Sequence, residues 1–329
     1  MNNKNNKDTN NHKILYDRFM EMLYKKYPKK RQLTEELMNL LILEREAVYR
    51  RLRQEVVFQA GEIAKIAVAW NISLDEIVGV YTQHINFKLQ LWNYINPSTE
   101  ELNCMKAIIK WLDTIRNFSD CEYLEVTNKL PPILTAGFMG LSKLYMLRWI
   151  YQYTNEKILP FSQIQFSAEV KKLSRELCIA SKKLPNIYFI WDNMLFYNLI
   201  CDIRYFHSIF LITDEEKEML KNELQALLDY LWEVATKGCW PETGKKVSIY
   251  VSHINIDTNY KYYYYSSEVK LCCVHAFGKN ELYTDDASIT GNFRAWMHAK
   301  KKSTIKISEV DEKSRIEFFA KQRKLIEGM

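Results

Sequence analysis

Glycine is scarce in this chain, nine residues among 329, and no P-loop, Rossmann glycine pattern or GxSxG elbow occurs. Loops that cradle phosphate through backbone N–H groups therefore have little scope. Cysteine is present but lacks a pattern: seven residues, an odd number, stand singly apart from Cys272-Cys273, without CxxC spacing. Neither a zinc ribbon nor a disulfide framework is expected, and reduced, mostly buried thiols in a cytoplasmic protein are the simplest account. Long apolar runs are missing too. The longest uncharged stretches, Leu130–Ser142 and Asn193–Cys201, fall short of a membrane span. No charged-then-apolar leader opens the chain, and residues 1–13, MNNKNNKDTNNHK, read as a disordered tail.

Histidine pairing is also lacking. His12, His84, His207, His253, His275 and His298 form no HExxH or other close ligand pair, so no metal, cofactor or catalytic residue is expected. His253 with Asp257 and Cys273 is the one constellation of nucleophile type. A cysteine nucleophile needs a base within hydrogen-bond reach, which nearness in sequence does not supply. The reading is therefore non-enzymatic.

What the chain does have is helical periodicity, concentrated between Thr34 and Gly79. Thr34 is expected as a helix N-cap, followed by Leu37, Leu40 and Leu41 and a break at Ile42 and Leu43. A second helix is expected from about Glu44 to Arg53. It buries Val48 and Leu52 and turns Arg45, Glu46, Tyr49, Arg50 and Arg53 outward. Ile63, Ile66, Ala67 and Trp70 mark a further helix, and Ser73 with Glu76 a capping box that opens a last one carrying Leu74 and Ile77. Upstream, Leu15, Phe19, Met22 and Leu23 add another apolar stripe. The expectation is five short helices with a helix-turn-helix inside them. The net charge of +6, with Lys25, Lys26, Lys29, Lys30 and Arg31 just upstream, suits a polyanionic partner.

This stretch resembles the lambda-repressor-like, Cro/C1-type (XRE) helix-turn-helix domains of bacterial regulators. The resemblance rests on the leucine-rich helix to Leu41, the Leu43-Glu44 junction, the run Tyr49-Arg50-Arg51-Leu52-Arg53 and the segment Ile63 to Ile77. It departs from the family at Ile42, where the turn usually has glycine, at Glu44, usually serine or threonine, and at Gln54, often glycine. Glu35 stands where the family often has glutamine. The resemblance implies a transcription regulator binding double-stranded DNA as a homodimer. Arg45, Glu46, Tyr49 and Arg50 would approach base edges, and Arg51, Arg53, Lys29, Lys30 and Thr34 would complete the interface. The alternative is a protein-interaction scaffold that keeps the head without reading DNA.

Past Tyr81 helical spacing continues: a Ser98/Glu101 capping box, a weak strand at Cys121–Val126, an aromatic helix from Thr135 to Tyr153, and a Thr213/Glu216 box opening a leucine stripe to Leu231. Around Gly238 alternation takes over. Strands are expected at Val247–Val251, Tyr260–Tyr265 and Val269–Val274, with Asn259 and Gly278 as turns. A helix near Phe293 and Trp296, a strand at Thr304–Ile307 and a final helix follow. The fold class expected is mainly α: a tail over 1–13, a DNA-binding head over 14–82, a helical dimerisation or effector body over 83–240, and a small α+β domain over 241–329. An unknown effector or protein partner would meet the body.

Overall fold

A computed structural model describes residues 16–70, 72, 74, 87–93, 97–153, 157–256, 261–276 and 280–329, in two units, Met1–Asn86 and Phe87–Met329. The expected tail over 1–13 lies outside the described residues.

In the first unit a helix over 16–26 (α1) ends before Pro28, whose ring disfavours helical backbone at the preceding residue. The chain re-enters helix at Lys30–Leu41 (α2), followed by Arg45–Leu52 (α3) and Ala60–Trp70 (α4). Leu33, Leu37 and Leu41, four residues apart, form the buried stripe of α2, against which Val48, Leu52, Ile66 and Trp70 pack with Phe19 and Leu23. Tyr27 meets Trp70 edge-on, their centroids 4.8 Å apart. The N-cap of α2 is Lys29, not Thr34. The helix starts just after Pro28, which leaves Thr34 inside it, 1% exposed, with its hydroxyl donating to the Lys30 carbonyl at 2.8 Å. The fifth helix expected after Ser73 lies outside the described residues apart from Leu74.

The second unit corrects the expected fold class. Lys88–Gln90 (β1), Glu122–Thr127 (β2), Asn186–Trp191 (β3), Lys246–Ser252 (β4), Lys261–Tyr265 (β5), Lys270–Ala276 (β6), Asn280–Thr284 (β7) and Thr304–Lys306 (β8) form one eight-stranded sheet. Its order is β1-β7-β6-β5-β2-β3-β4-β8. β2, β3 and β4 run parallel, and the other pairs are antiparallel. The separate helical body and small α+β domain therefore do not hold. β2, expected as a weak strand, and β3, both within the region expected to be a helical body, lie between β5 and β4 from the C-terminal segment, so a single sheet joins them. β3, NIYFIW, escapes a periodicity reading because a strand covered on both faces is a continuous apolar run without alternation.

The helices are Thr99–Ile115 (α5), Pro132–Thr135 (α6), Met139–Tyr153 (α7), Ala168–Ser181 (α8), Tyr197–Ser208 (α9), Asp214–Lys237 (α10), Ala287–Ala299 (α11) and Glu312–Glu327 (α12). The capping boxes read at Ser98/Glu101 and Thr213/Glu216 are formed. Gly238 closes α10 in the left-handed region, φ 66°, where a side chain would be strained. One sheet face, with Tyr123, Ile187, Phe189, Trp191, Val247 and Ile249, shares a core with α5, α7, α9, α10 and α12. The opposite face, with Leu124, Val126, Ile190, Tyr263 and Cys272, packs on Phe293 and Met297 of α11.

A buried charge also ties α11 to the sheet. Glu122, 8% exposed, accepts hydrogen bonds from Arg294 and from the Tyr263 hydroxyl at 3.0 Å, and lies 3.4 Å from His298 Nε2. Burial raises its pKa, but hydrogen bonds from His298 and Arg294 and the Arg294 charge outweigh that and hold it at about 2. A carboxyl depressed by folding stabilises the native state above its unfolded pKa, and that contribution fades as pH falls through its folded pKa. Glu122→Gln should therefore lower stability at neutral pH by about 2 kcal/mol and flatten the loss of stability between about pH 5 and pH 2. Denaturant melts across that range check both effects.

Candidate functional site

In the first unit, α2 and α3 are joined by Ile42, Leu43 and Glu44 alone, and Ile42 adopts the left-handed conformation at φ 56°. Gln54, just past α3, does the same at φ 61°. These are the two positions where the resemblance leads glycine to be expected. The backbone keeps glycine-like geometry at both, without the residue that takes it freely. Ile42 is also 88% exposed, so its side chain gains little packing in return.

Two residues of α3, Val48 and Leu52, are buried, and that fixes which way the rest turn. Arg45, Glu46, Arg50 and Arg53 are exposed, Tyr49 is half-buried, and the Lys30 ammonium lies 5.9 Å from the Tyr49 ring centre. Lys29 and Lys30 at the start of α2 are exposed as well. Of the cations exposed here, Arg50 and Arg53 already face carboxylates. Arg53 bonds Glu46 at 2.8 Å and Glu55 at 2.8 Å, and Arg50 lies 3.8 Å from Glu55. The hydrogen bond that Arg53 donates to Glu46, with Glu55 close by, pushes the Arg53 pKa up. Arg45 has no carboxylate partner among the described residues.

Arg51 and Thr34 are not exposed. Arg51 is turned toward α4: its Nε and Nη2 donate to the two oxygens of Glu62 at 3.0 and 2.8 Å, and its Nη1 donates to the Ala47 carbonyl at 3.1 Å. Both side chains are mostly buried, 12% and 17% exposed. Glu62 also accepts from the Gln59 N–H at 2.9 Å, beside the start of α4. Burial opposes ionisation of Glu62, yet the bonds from Arg51 and Gln59 prevail and lower its pKa. This bidentate pair fastens α3 to α4. Glu62 went unread in the sequence, since its partner lies eleven residues away and no helical spacing connects them.

The second unit holds a cavity of about 310 Å³ between the sheet and α5, α6, α7 and α8. Tyr123, Tyr262 and Tyr264 form its floor, and Tyr145 and Phe166 contribute from the helical side. Alternation along β2 and β5 places these floor rings on one face, with Tyr123 opposite Tyr264 and Glu125 opposite Tyr262. The Tyr262 hydroxyl donates to Glu281 at 2.9 Å, His275 Nε2 lies 3.3 Å from the same carboxylate, and Tyr123 donates to the buried Glu125 at 2.5 Å. Burial pushes the Tyr145, Tyr262 and Tyr264 phenols well up, so they stay neutral, and Tyr145 and Tyr262 act as donors, to the Leu130 carbonyl and to Glu281. The tyrosine-rich strand was legible in sequence; that its alternate rings face a cavity was not.

The His253/Asp257/Cys273 constellation is not assembled. Asp257 lies outside the described residues, and His253 follows β4 while Cys273 is on β6, with β3, β2 and β5 between them. At roughly 4.8 Å per strand that is far beyond hydrogen-bond reach. Burial also pushes the Cys273 thiol well up, which disfavours the thiolate. Among the described residues, no three His, Cys, Asp or Glu side chains converge as a metal site would require, and no helix is long and apolar enough to cross a membrane. Comparisons with protein-family models, curated proteins and solved structures give no match to this chain.

Two changes probe the head directly. Arg51→Ala should destabilise the first unit by about 3 kcal/mol, because the buried Glu62 carboxylate loses its partner. Ile42→Gly should stabilise it by about 1 kcal/mol, the left-handed strain of a β-branched residue less glycine's extra entropy. Amide hydrogen exchange within residues 30–70 reads both, since it reports the first unit separately from the second.

Proposed function

We propose that the chain is a sequence-specific DNA-binding regulator, acting in the cytoplasm as a homodimer, with α3 in the major groove. The observation that carries this reading is the three-residue turn with left-handed Ile42, which sets α3 against α2 and leaves Arg45, Glu46, Tyr49 and Arg50 toward solvent. Arg45, unpaired among the described residues, and Arg50 are the candidates for base edges. Lys29, Lys30 and Arg53 are the candidates for phosphate. The pairs that hold Arg50 and Arg53 are about half-exposed. Such pairs are worth about 0–1 kcal/mol, little enough for a phosphate to displace the carboxylate. Arg51 and Thr34 support α3 and α2 from within.

A second reading, a protein-interaction module, has its own support. Glu46, Glu55 and Glu62 engage three of the four arginines between 45 and 53, and Ile42, Val57 and Val68 are exposed apolar side chains on the same unit. Selection from random duplex DNA separates the two. On the DNA reading, a consensus with two-fold symmetry emerges, and Arg50→Ala or Arg45→Ala costs about 1–3 kcal/mol of discrimination at one base position. Lys29→Ala weakens all sequences alike and lowers the salt dependence by about one charge. Binding that is equal for every duplex and indifferent to the arginine changes leaves the interaction module as the reading.

A further inference from the structure

The titratable acid and base among the cavity's described lining residues are Glu281 and His275, whose Nε2 lies 3.3 Å from the Glu281 carboxylate. Glu281 is the only carboxylate among its described lining residues, and none of them is lysine or arginine. Glu125, fully buried, projects from the same sheet face two residues from Tyr123. Arg148, whose charge reaches the lining Tyr145, is paired with Asp202 at 2.8 Å. The Tyr262 and Tyr123 hydroxyls donate to the two carboxylates. Negative charge therefore stands beside the electron-rich faces of neutral phenol rings, the arrangement that attracts an organic cation.

We propose that this cavity binds a small organic cation, an amine on an apolar body, with its ammonium group at Glu281 and its body among the rings of Tyr123, Tyr262 and Tyr264. An anionic ligand would meet Glu281 and the nearby Glu125 with no lysine or arginine in the described lining to receive it. A neutral apolar one would desolvate Glu281 without compensation. The volume, about 310 Å³, sits at the lower end of the ~300–1,000 Å³ usual for small-ligand sites, room for one substituted aromatic ring or a chain of similar bulk. His275, 3.3 Å from the carboxylate, fixes the side of Glu281 left for the ligand. The inference is independent of the DNA reading, since nothing in it involves the first unit.

Three probes of one shape test it on the full chain: 2-phenylethylamine, 2-phenylethanol and phenylacetate, with affinity measured by calorimetry or by ligand-observed NMR. The amine should bind about tenfold or more tighter than the alcohol, and the carboxylate weakest of all. Glu281→Gln, which keeps an acceptor for Tyr262, should abolish the preference for the amine over the alcohol. Ser174→Trp, which fills the cavity from α8, should abolish binding of all three at an unchanged melting temperature; it carries the test if the Glu281 variant fails to fold. Equal affinity for amine and alcohol, a preference for the carboxylate, amine binding that survives Ser174→Trp, or no amine binding at millimolar concentration would each overturn the proposal.

Discussion

Strands β2 and β3 lie at the middle of a sheet whose two faces are both covered, so every side chain they carry must find its partner inside the protein. For Leu124, Val126, Ile187 and Phe189 that requirement is met by packing. Glu122 and Glu125 need polar partners, because an isolated buried carboxylate is strongly disfavoured. Glu122 finds Arg294, Tyr263 and His298, which anchor α11; Glu125 finds Tyr123 on the face that carries the cavity. The same two strands thus organise both helical layers, and β2 places a carboxylate toward each.

The first unit works under a different constraint. Its helices are short, so α3, eight residues long, depends on its neighbours rather than on its own hydrogen bonds. Val48 and Leu52 supply the apolar attachment to α2 and α4, and Arg51 with Glu62 supplies a geometrically specific one. The outward residues then divide by what faces them. Arg45 is open to a partner, whereas Arg50 and Arg53 must exchange Glu46 and Glu55 for it. Such a surface keeps its net attraction for a polyanion modest, in line with the mild excess of positive charge in the whole chain.

Much of the local structure was legible in the residues. The capping boxes at Ser98/Glu101 and Thr213/Glu216, the leucine stripe of α10, the start of α3 at Glu44 and the alternation of β4 all follow from short-range spacing. The misreadings have physical causes. Thr34 resembles an N-cap in isolation, but the helix begins earlier, just after Pro28. β3 and β7 were missed because neither alternates cleanly: one is covered on both faces and the other is intermediate in burial throughout most of its length. The off-pattern Ile42 and Gln54 look like arguments against a turn, yet both adopt the backbone that glycine would.

By itself the sequence determined the capping boxes, which faces of several helices are apolar, and that a run of tyrosines forms a strand, since each of these depends on residues within a few positions of one another. Only the tertiary structure decided that the body is one mixed sheet, that Arg51 clamps α4 while Arg45 stays open, and that Tyr123, Tyr262, Tyr264 and Glu281 surround one cavity. Strand order and long-range ion pairs join residues separated by tens to more than a hundred positions, and no local periodicity encodes which distant partner wins the competition for burial.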